Sequence, residues 1–453
     1  MMLRGFFGKK SRDKKTEQST AENKLTQAGA SKTDNPISKP KVKASAKPKP
    51  AAKPKPWTLD QYKVAPEEGK TRFHDLGLDT ALIHGIADLN YQYCSEIQAE
   101  SLPHTLKGHD VIGKAATGTG KTAAFLITIL NDLISRPIPK SERYSSEPRA
   151  LIIAPTRELA LQIEKDAIEL TKHIDLPVYS VLGGIDYQKQ KTHVRNEVID
   201  LLVATPGRLI DFLNSGDLYL DQLDFLVIDE ADRMLDMGFI PDVKRIISRC
   251  PKVEQRQTLL FSATFSEDVL NLAKRWTTNP VFVEIEAEQL TTDTVEQKIF
   301  MVPTDEKLKI ICNYIDKNDV TKAIIFGNRR DETRRLESAL KGKGLKAALL
   351  SGEVPQHKRI KTLEQFKSGQ IQILVATDVA GRGIHVDGVS HVFNYNLPEV
   401  AEDYVHRIGR TGRAGKKGVS ISFACEDDAF LLPEIEKYIG MKLTYEYPDY
   451  LLE

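Results

Sequence analysis

Phe225-Leu226-Val227-Ile228-Asp229-Glu230-Ala231-Asp232 runs from four apolar residues straight into three carboxylates. A short apolar run of this kind reads as a strand buried on both faces, and open α/β sheets collect their ligands at the C-terminal ends of such strands. The carboxylates therefore stand where a ligand is expected. Their complement lies upstream, in Ala115-Ala116-Thr117-Gly118-Thr119-Gly120-Lys121-Thr122, after the apolar stretch Asp110-Val-Ile-Gly113. This reads as a phosphate loop: backbone N–H groups around Gly118 and Gly120 wrap phosphate oxygens, Lys121 reaches the β- and γ-phosphates, and Thr122 holds Mg²⁺. Asp229 would share the metal while Glu230 orients or deprotonates an attacking water. Ala115 stands where the pattern usually opens on Gly. Each half alone has an ordinary explanation, a glycine-rich turn or a solvated strand end. The pair, each at the end of a strand, points to nucleotide hydrolysis.

Outward from these two stretches, apolar runs alternate with helical ones. Ala150–Ile153, Leu201–Val203, Thr258–Phe261 and Val281–Val283 complete a first set. The polar stretch 287–294 reads as a hinge, after which Ile299–Val302, Ala323–Phe326, Ala347–Leu350, Ile373–Val375, His391–Phe393 and Val419–Phe423 form a second. Short apolar strands separated by helices imply right-handed βαβ units and mostly parallel sheets. The expected organisation is a tail (1–56), a linker (57–71), an α/β domain (72–286), the hinge and a second α/β domain (295–453), with a cleft between the domains. A chain of 453 residues exceeds what one core usually supports.

The net charge of +1 hides a partition. Of 64 Lys+Arg and 63 Asp+Glu, 15 and 4 fall in residues 1–56, leaving 49 and 59 in the rest. The tail is +11 and the body −10. Residues 39–56 are largely Lys, Pro and Ala, which cannot bury a core and should be extended and mobile. This segment reads equally well as an electrostatic arm for nucleic-acid phosphates or as a solubilising linker. The four cysteines are never closer than 62 positions, which excludes close-spaced zinc or redox pairs. No run of eighteen apolar residues occurs, and the apolar start is too short for a secretory signal, so the expectation is a soluble, cytoplasmic protein.

Three strand-to-helix turns carry polar groups: Pro155-Thr156-Arg157-Glu158, Gly183-Gly184 and Thr205-Pro206-Gly207-Arg208. Hydroxyl, guanidinium and free N–H groups there suit a phosphodiester, although each turn alone is an ordinary connection. Ser262-Ala263-Thr264 follows another strand, and its hydroxyls are placed to bond to the acidic motif. In the second half Arg407, Arg410 and Arg413 recur every third residue within His406-Arg407-Ile408-Gly409-Arg410-Thr411-Gly412-Arg413. On a helix end they would share a face and reach a γ-phosphate whose charge spreads in the transition state.

In this order, these motifs resemble those of the DEAD-box RNA helicases, over about residues 72 to 440. The resemblance implies two RecA-like folds and ATP as the nucleotide. It implies adenine recognition by Gln98 with Phe73 stacking, and an RNA track over the three turns of the first domain with Gln356, Arg359 and Thr377 of the second. It further implies coupling through Ser262, Thr264, Arg382 and His385, and arginine fingers at Arg410 and Arg413 organised by His406 and Arg407. Four positions depart from the pattern. Asn90, Ser95 and Glu96 stand where Gly, Thr and Pro are usual, and His385 replaces a ribose-binding Asp, which implies weak nucleotide binding without a partner. The ending Ala424-Cys425-Glu426 with Leu432–Gly440 is most similar to bacterial members of the RNA degradosome, implying docking of domain two on an endoribonuclease scaffold. A non-enzymatic RNA clamp and a DNA translocase are the rival readings.

Overall fold

The computed structural model describes residues 57–451 apart from 116–117, 286–294, 319, 353, 382–385, 387 and 413–416, and leaves the side chains of residues 140, 356, 379 and 449 aside. The basic tail and the hinge at 287–294 thus lie outside the described residues. The first sheet is built from β1 (Val111–Lys114), β2 (Ala150–Ile153), β3 (Val178–Val181), β4 (Leu201–Ala204), β5 (Phe225–Ile228), β6 (Gln257–Ser262) and β7 (Val281–Glu284). The second comprises β8 (Val295–Met301), β9 (Ala323–Phe326), β10 (Ala347–Leu350), β11 (Ile373–Ala376), β12 (His391–Asn394), β13 (Gly418–Ala424) and β14 (Thr444–Glu446). Their orders are β3-β4-β2-β5-β6-β1-β7 and β10-β11-β9-β12-β13-β8-β14. Every strand pairing described in them is parallel. The expected pair of α/β domains is therefore present.

Parallel neighbours cannot be joined by tight turns, so helices make the crossovers and cover both faces. That is why β2, β4 and β5 are buried at every residue. Leu151, Ile153, Leu202 and Leu226 face one helical layer and Ile152, Val203 and Val227 the other. Each such side chain contributes about 1.5–3 kcal/mol relative to exposure. Among the flanking helices are α1 (Thr80–Asp88), α2 (Glu96–Thr105), α3 (Lys121–Ser135) and α4 (Arg157–Leu170).

The stretch 57–71, read from sequence as a linker, belongs to the first core instead. Tyr62 and Val64 are buried in it, and Trp57 packs against its edge. The reason lies in the apolar residues spaced through this otherwise polar segment, too sparse to signal an element by themselves.

Candidate active site

Strand register decides which motifs meet. β2 lies between β4 and β5, with Ile153 opposite both Ala204 and Ile228, and Ala204 is opposite Val181. Lys114 on β1 is opposite Ser262 on β6. The loops after β1, β6 and β5 therefore emerge side by side and carry the phosphate loop, Ser262-Ala-Thr and Asp229-Glu230. Those after β2, β4 and β3 continue the same edge with Pro155-Thr156-Arg157, Thr205–Arg208 and Gly183-Gly184. One half of the edge is suited to a nucleotide and the other to a phosphodiester.

In the nucleotide half Gly118 and Gly120 take φ of 93° and 99°, the left-handed region that glycine enters freely, and Gly120 leads directly into α3. The helix thus opens at the loop, where its first-turn N–H groups can receive an anion. Lys121 is buried and donates to Ala115 O at 2.5 Å, closing the loop over its own lysine. Thr122 follows on the first turn of α3, and Thr119 is half-buried. Ala116 and Thr117 lie outside the described residues.

Asp229 is fully packed, and its Oδ1 accepts from Glu230 N at 2.9 Å. Burial pushes its carboxyl well above the usual range, with Glu230 and Asp232 adding to the effect while Lys121 opposes it. Such a group fits a cation-binding role, and with the Thr122 hydroxyl it offers the hard oxygen donors that Mg²⁺ prefers. Glu230 adopts φ 53°, ψ 53°, an uncommon conformation for a residue with a side chain. Its carboxylate is paired with buried Arg233. Asp232 Oδ2 accepts from Ala263 N at 3.1 Å, Thr264 N at 2.9 Å and Thr264 Oγ1 at 3.0 Å, and its own N–H donates to Ser262 Oγ at 3.1 Å. The acidic motif and Ser262-Ala-Thr264 are one bonded unit.

Two expectations for the base end are revised. Phe73 is fully buried in the first core, its ring centroid 6.5 Å from that of Tyr91, and shows no face to a base. It opens a short 3-10 helix, Phe73–Leu76, whose anchor it has become. Gln98 does not present its amide openly either: Oε1 accepts from Ser95 N at 3.0 Å and Nε2 donates to Gly120 O at 3.0 Å. The amide ties the start of α2 to the phosphate loop, so any contact with a base uses its remaining hydrogen and lone pair. Asn90 takes φ 56°, which explains why glycine suits this position and why asparagine can replace it. Glu96 opens α2, where a carboxylate complements the helix dipole.

In the phosphodiester half Thr156 caps α4, accepting from Leu159 N at 3.3 Å. The Arg157 guanidinium lies over the glycine pair: a Cβ on Gly184 would stand 2.5 Å from its Nη1. Burial lowers the pKa of Arg157; the charges of Arg359 and Arg208 lower it further, and Glu158 raises it. Arg208 donates to Ile185 O at 3.2 Å and its Nε lies 3.9 Å from Asp211 Oδ2, while its buried Nε and Nη1 make no hydrogen bond among the described residues. Thr205 Oγ1 accepts weakly from Gly183 N at 3.4 Å, and Pro206 and Gly207 form the first turn of the next helix. Arg359, on the helix Gln356–Lys367 of the second half, donates to Glu158 Oε1 at 2.7 Å and to Ser351 O at 3.0 Å. That bond joins the second half to the first beside the phosphodiester track, and Thr377 follows β11 on the same sheet edge as Ser351.

Arg407 and Arg410 do not share a helix face. Their helix, Ala401–Ile408, ends before Arg410, and Arg407 turns inward. Arg407 makes two 2.6 Å bonds to Asp378 and two of 2.7 Å to Asn396 O and Asn328 Oδ1, over the ring of Phe326. Arg410 is also buried, its Nε donating to His406 O at 3.0 Å, while His406 Nδ1 lies 3.7 Å from Asp403. Arg413, Arg382 and His385 lie outside the described residues. Sequence reasoning missed Arg233, Asn328 and Asn396, polar residues after strand ends or within a helix that carry no motif of their own, and gave Asp232 and Asp378 no individual part.

No helix among the described residues is long and apolar enough to cross a membrane. Residues 95–272 match the model for DEAD/DEAH box helicases and 306–415 that for the helicase conserved C-terminal domain. The chain is 58% identical to the ATP-dependent RNA helicase RhlB of Pseudomonas syringae pv. tomato, over 84% of this chain and 96% of that protein. Among solved structures it resembles S. cerevisiae Dbp5 bound to RNA and ADP BeF3, with a TM-score of 0.74 at 30% identity over 84% of this chain and 97% of that one. Mss116p bound to ssRNA and AMP-PNP gives 0.73 at 30%, covering 86% and 82%.

Proposed function

This chain belongs to the DEAD-box ATP-dependent RNA helicases, and from that premise we propose that it separates or remodels short RNA duplexes during bacterial RNA decay. The observation that carries this reading is the single sheet edge on which the nucleotide and phosphodiester motifs adjoin, bridged to the second half by Arg359 and Glu158. Lys121 and the N–H groups opening α3 bind the β- and γ-phosphates. Thr122 and Asp229 hold Mg²⁺, which supplies charge neutralisation as the phosphoryl group transfers. Glu230 takes a proton from the attacking water or orients it, and Arg410 with Arg413 balances the charge spreading over the transferring group. Arg157, Arg208, Arg359, Gln356 and Thr377 grip the backbone of one strand, so base identity matters little. The Asp232–Ser262–Thr264 unit passes the nucleotide state to the RNA contacts.

In this proposal the protein works in the cytoplasm and docks through its second domain on a degradosome endoribonuclease scaffold. The exposed Phe430 and Tyr447, both more than 70% accessible, offer apolar anchors of the kind a partner covers.

Glu230→Gln tests the reading. ATP binding should persist while turnover falls by about 10²–10⁴-fold, because the amide fits but cannot accept the water's proton. ATP and RNA should then be trapped together, as seen by slowed RNA release. Turnover near wild type would assign the water to another group.

A further inference from the structure

Away from the cleft, the first domain holds a second cluster of ligating side chains. His84 and Asp88 are spaced i, i+4 on α1 and so share a face, and the loop after α4 brings His173 against them. The Nε2 atom of His173 lies 2.9 Å from Asp88 Oδ2, and that of His84 lies 3.9 Å from Oδ1. One ligand atom from each residue falls within 4.8 Å of the others. The two imidazoles stack with centroids 3.5 Å apart and planes 2° apart, and Trp57 stacks on the outer face of His84 at 4.3 Å. The backbone beneath is fixed: a Cβ on Gly85 would stand 2.3 Å from Leu170 O, so α1 is pressed on the end of α4. α4 opens at the cleft and runs 14 residues, about 21 Å, before His173.

We propose that His84, Asp88 and His173 form a binding site for a borderline divalent cation of the Zn²⁺ class, tying α1 to the loop after α4. Two imidazoles and one carboxylate, with a fourth position left to water, are a donor set that Zn²⁺ takes tetrahedrally. That geometry sets ligand atoms about 3.4 Å apart. The site reaches it by turning the exposed ring of His173 and the Asp88 carboxylate, with no shift of α1. Burial and the neighbouring His173 lower the pKa of His84, favouring the neutral ring that a metal needs. The competitor is Lys172, whose Nζ lies 2.5 Å from Asp88 Oδ2 and must swing into solvent when the ion binds. Mg²⁺, which prefers an all-oxygen shell, is a poor match, so this site is chemically distinct from the one at Thr122 and Asp229.

The test is a titration of the full-length protein with Co²⁺, a stand-in for Zn²⁺, in millimolar Mg²⁺ to hold the hard-oxygen site. Calorimetry gives stoichiometry, and quenching of Trp57 reports an ion beside His84. One ion per chain should bind with saturating quench, and Zn²⁺ should displace it and raise the melting temperature. His84→Ala and His173→Ala should each weaken binding by about tenfold or more, and Lys172→Met should tighten it. RNA-stimulated ATPase should be unchanged in His173→Ala, which shows that the variant folds. No saturable quench up to millimolar Co²⁺, or equal binding by the His84→Ala/His173→Ala double variant, would overturn the proposal.

Discussion

Arg407 and Arg410 look equivalent in the chain, three residues apart in one motif, yet we propose different work for them. Arg407 satisfies Asp378, Asn328 and the Asn396 carbonyl inside the second domain. Arg407→Ala leaves that carboxylate and those amides without their partner and should lower stability by roughly 3–5 kcal/mol, measured as an earlier denaturant transition. Arg410→Ala should fold normally and lose kcat by about 10³-fold or more, with RNA affinity in the absence of nucleotide unchanged. If Arg410→Ala weakened nucleotide-free RNA binding at full kcat, the residue would belong to the RNA site. The carboxylates, phosphate loop and glycines were legible because their chemistry is fixed by residue type and position after a strand. Phe73 was misread for the opposite reason, as was the shared face expected of Arg407 and Arg410: spacing cannot tell a side chain that faces a cleft from one that faces the core.

Among the elements, apolar runs announced the central strands and two of the four edge strands, β7 and β10, and missed the other two. β3, Val178-Tyr-Ser-Val181, and β14, Thr444-Tyr-Glu446, are edge strands of three or four residues in which polar side chains interrupt or replace the apolar run. β14 is held by Glu436, which accepts from Leu443 N at 3.0 Å, Tyr445 Oη at 2.6 Å and Lys442 Nζ at 2.6 Å. Lys442, then Tyr445, hold the Glu436 carboxyl down to about 2. A carboxyl depressed in the folded state stabilises above its unfolded pKa, and that contribution fades as the pH falls from about 4.5 towards 2. Glu436→Gln should therefore speed hydrogen exchange at residues 443–446 at pH 7 and leave little difference from wild type near pH 2. Equal protection at pH 7 would place the anchor of β14 elsewhere.

For the whole molecule, we propose that the charge partition and the bridge between halves govern how RNA is held. Deleting residues 1–56 removes +11 of charge and should weaken RNA binding and flatten its salt dependence while sparing ATP binding. An unchanged log–log salt slope would make the tail a passive linker. The helicase reading itself turns on whether the phosphodiester half of the sheet edge controls the nucleotide half. Steady-state ATPase measured with single-stranded RNA, with DNA of the same sequence and with neither tests this most directly, because only RNA offers 2′-hydroxyls along its backbone. Hydrolysis should be slow alone, rise severalfold or more with RNA and stay near the basal rate with DNA; equal stimulation by DNA, or a rate indifferent to both, would contradict it.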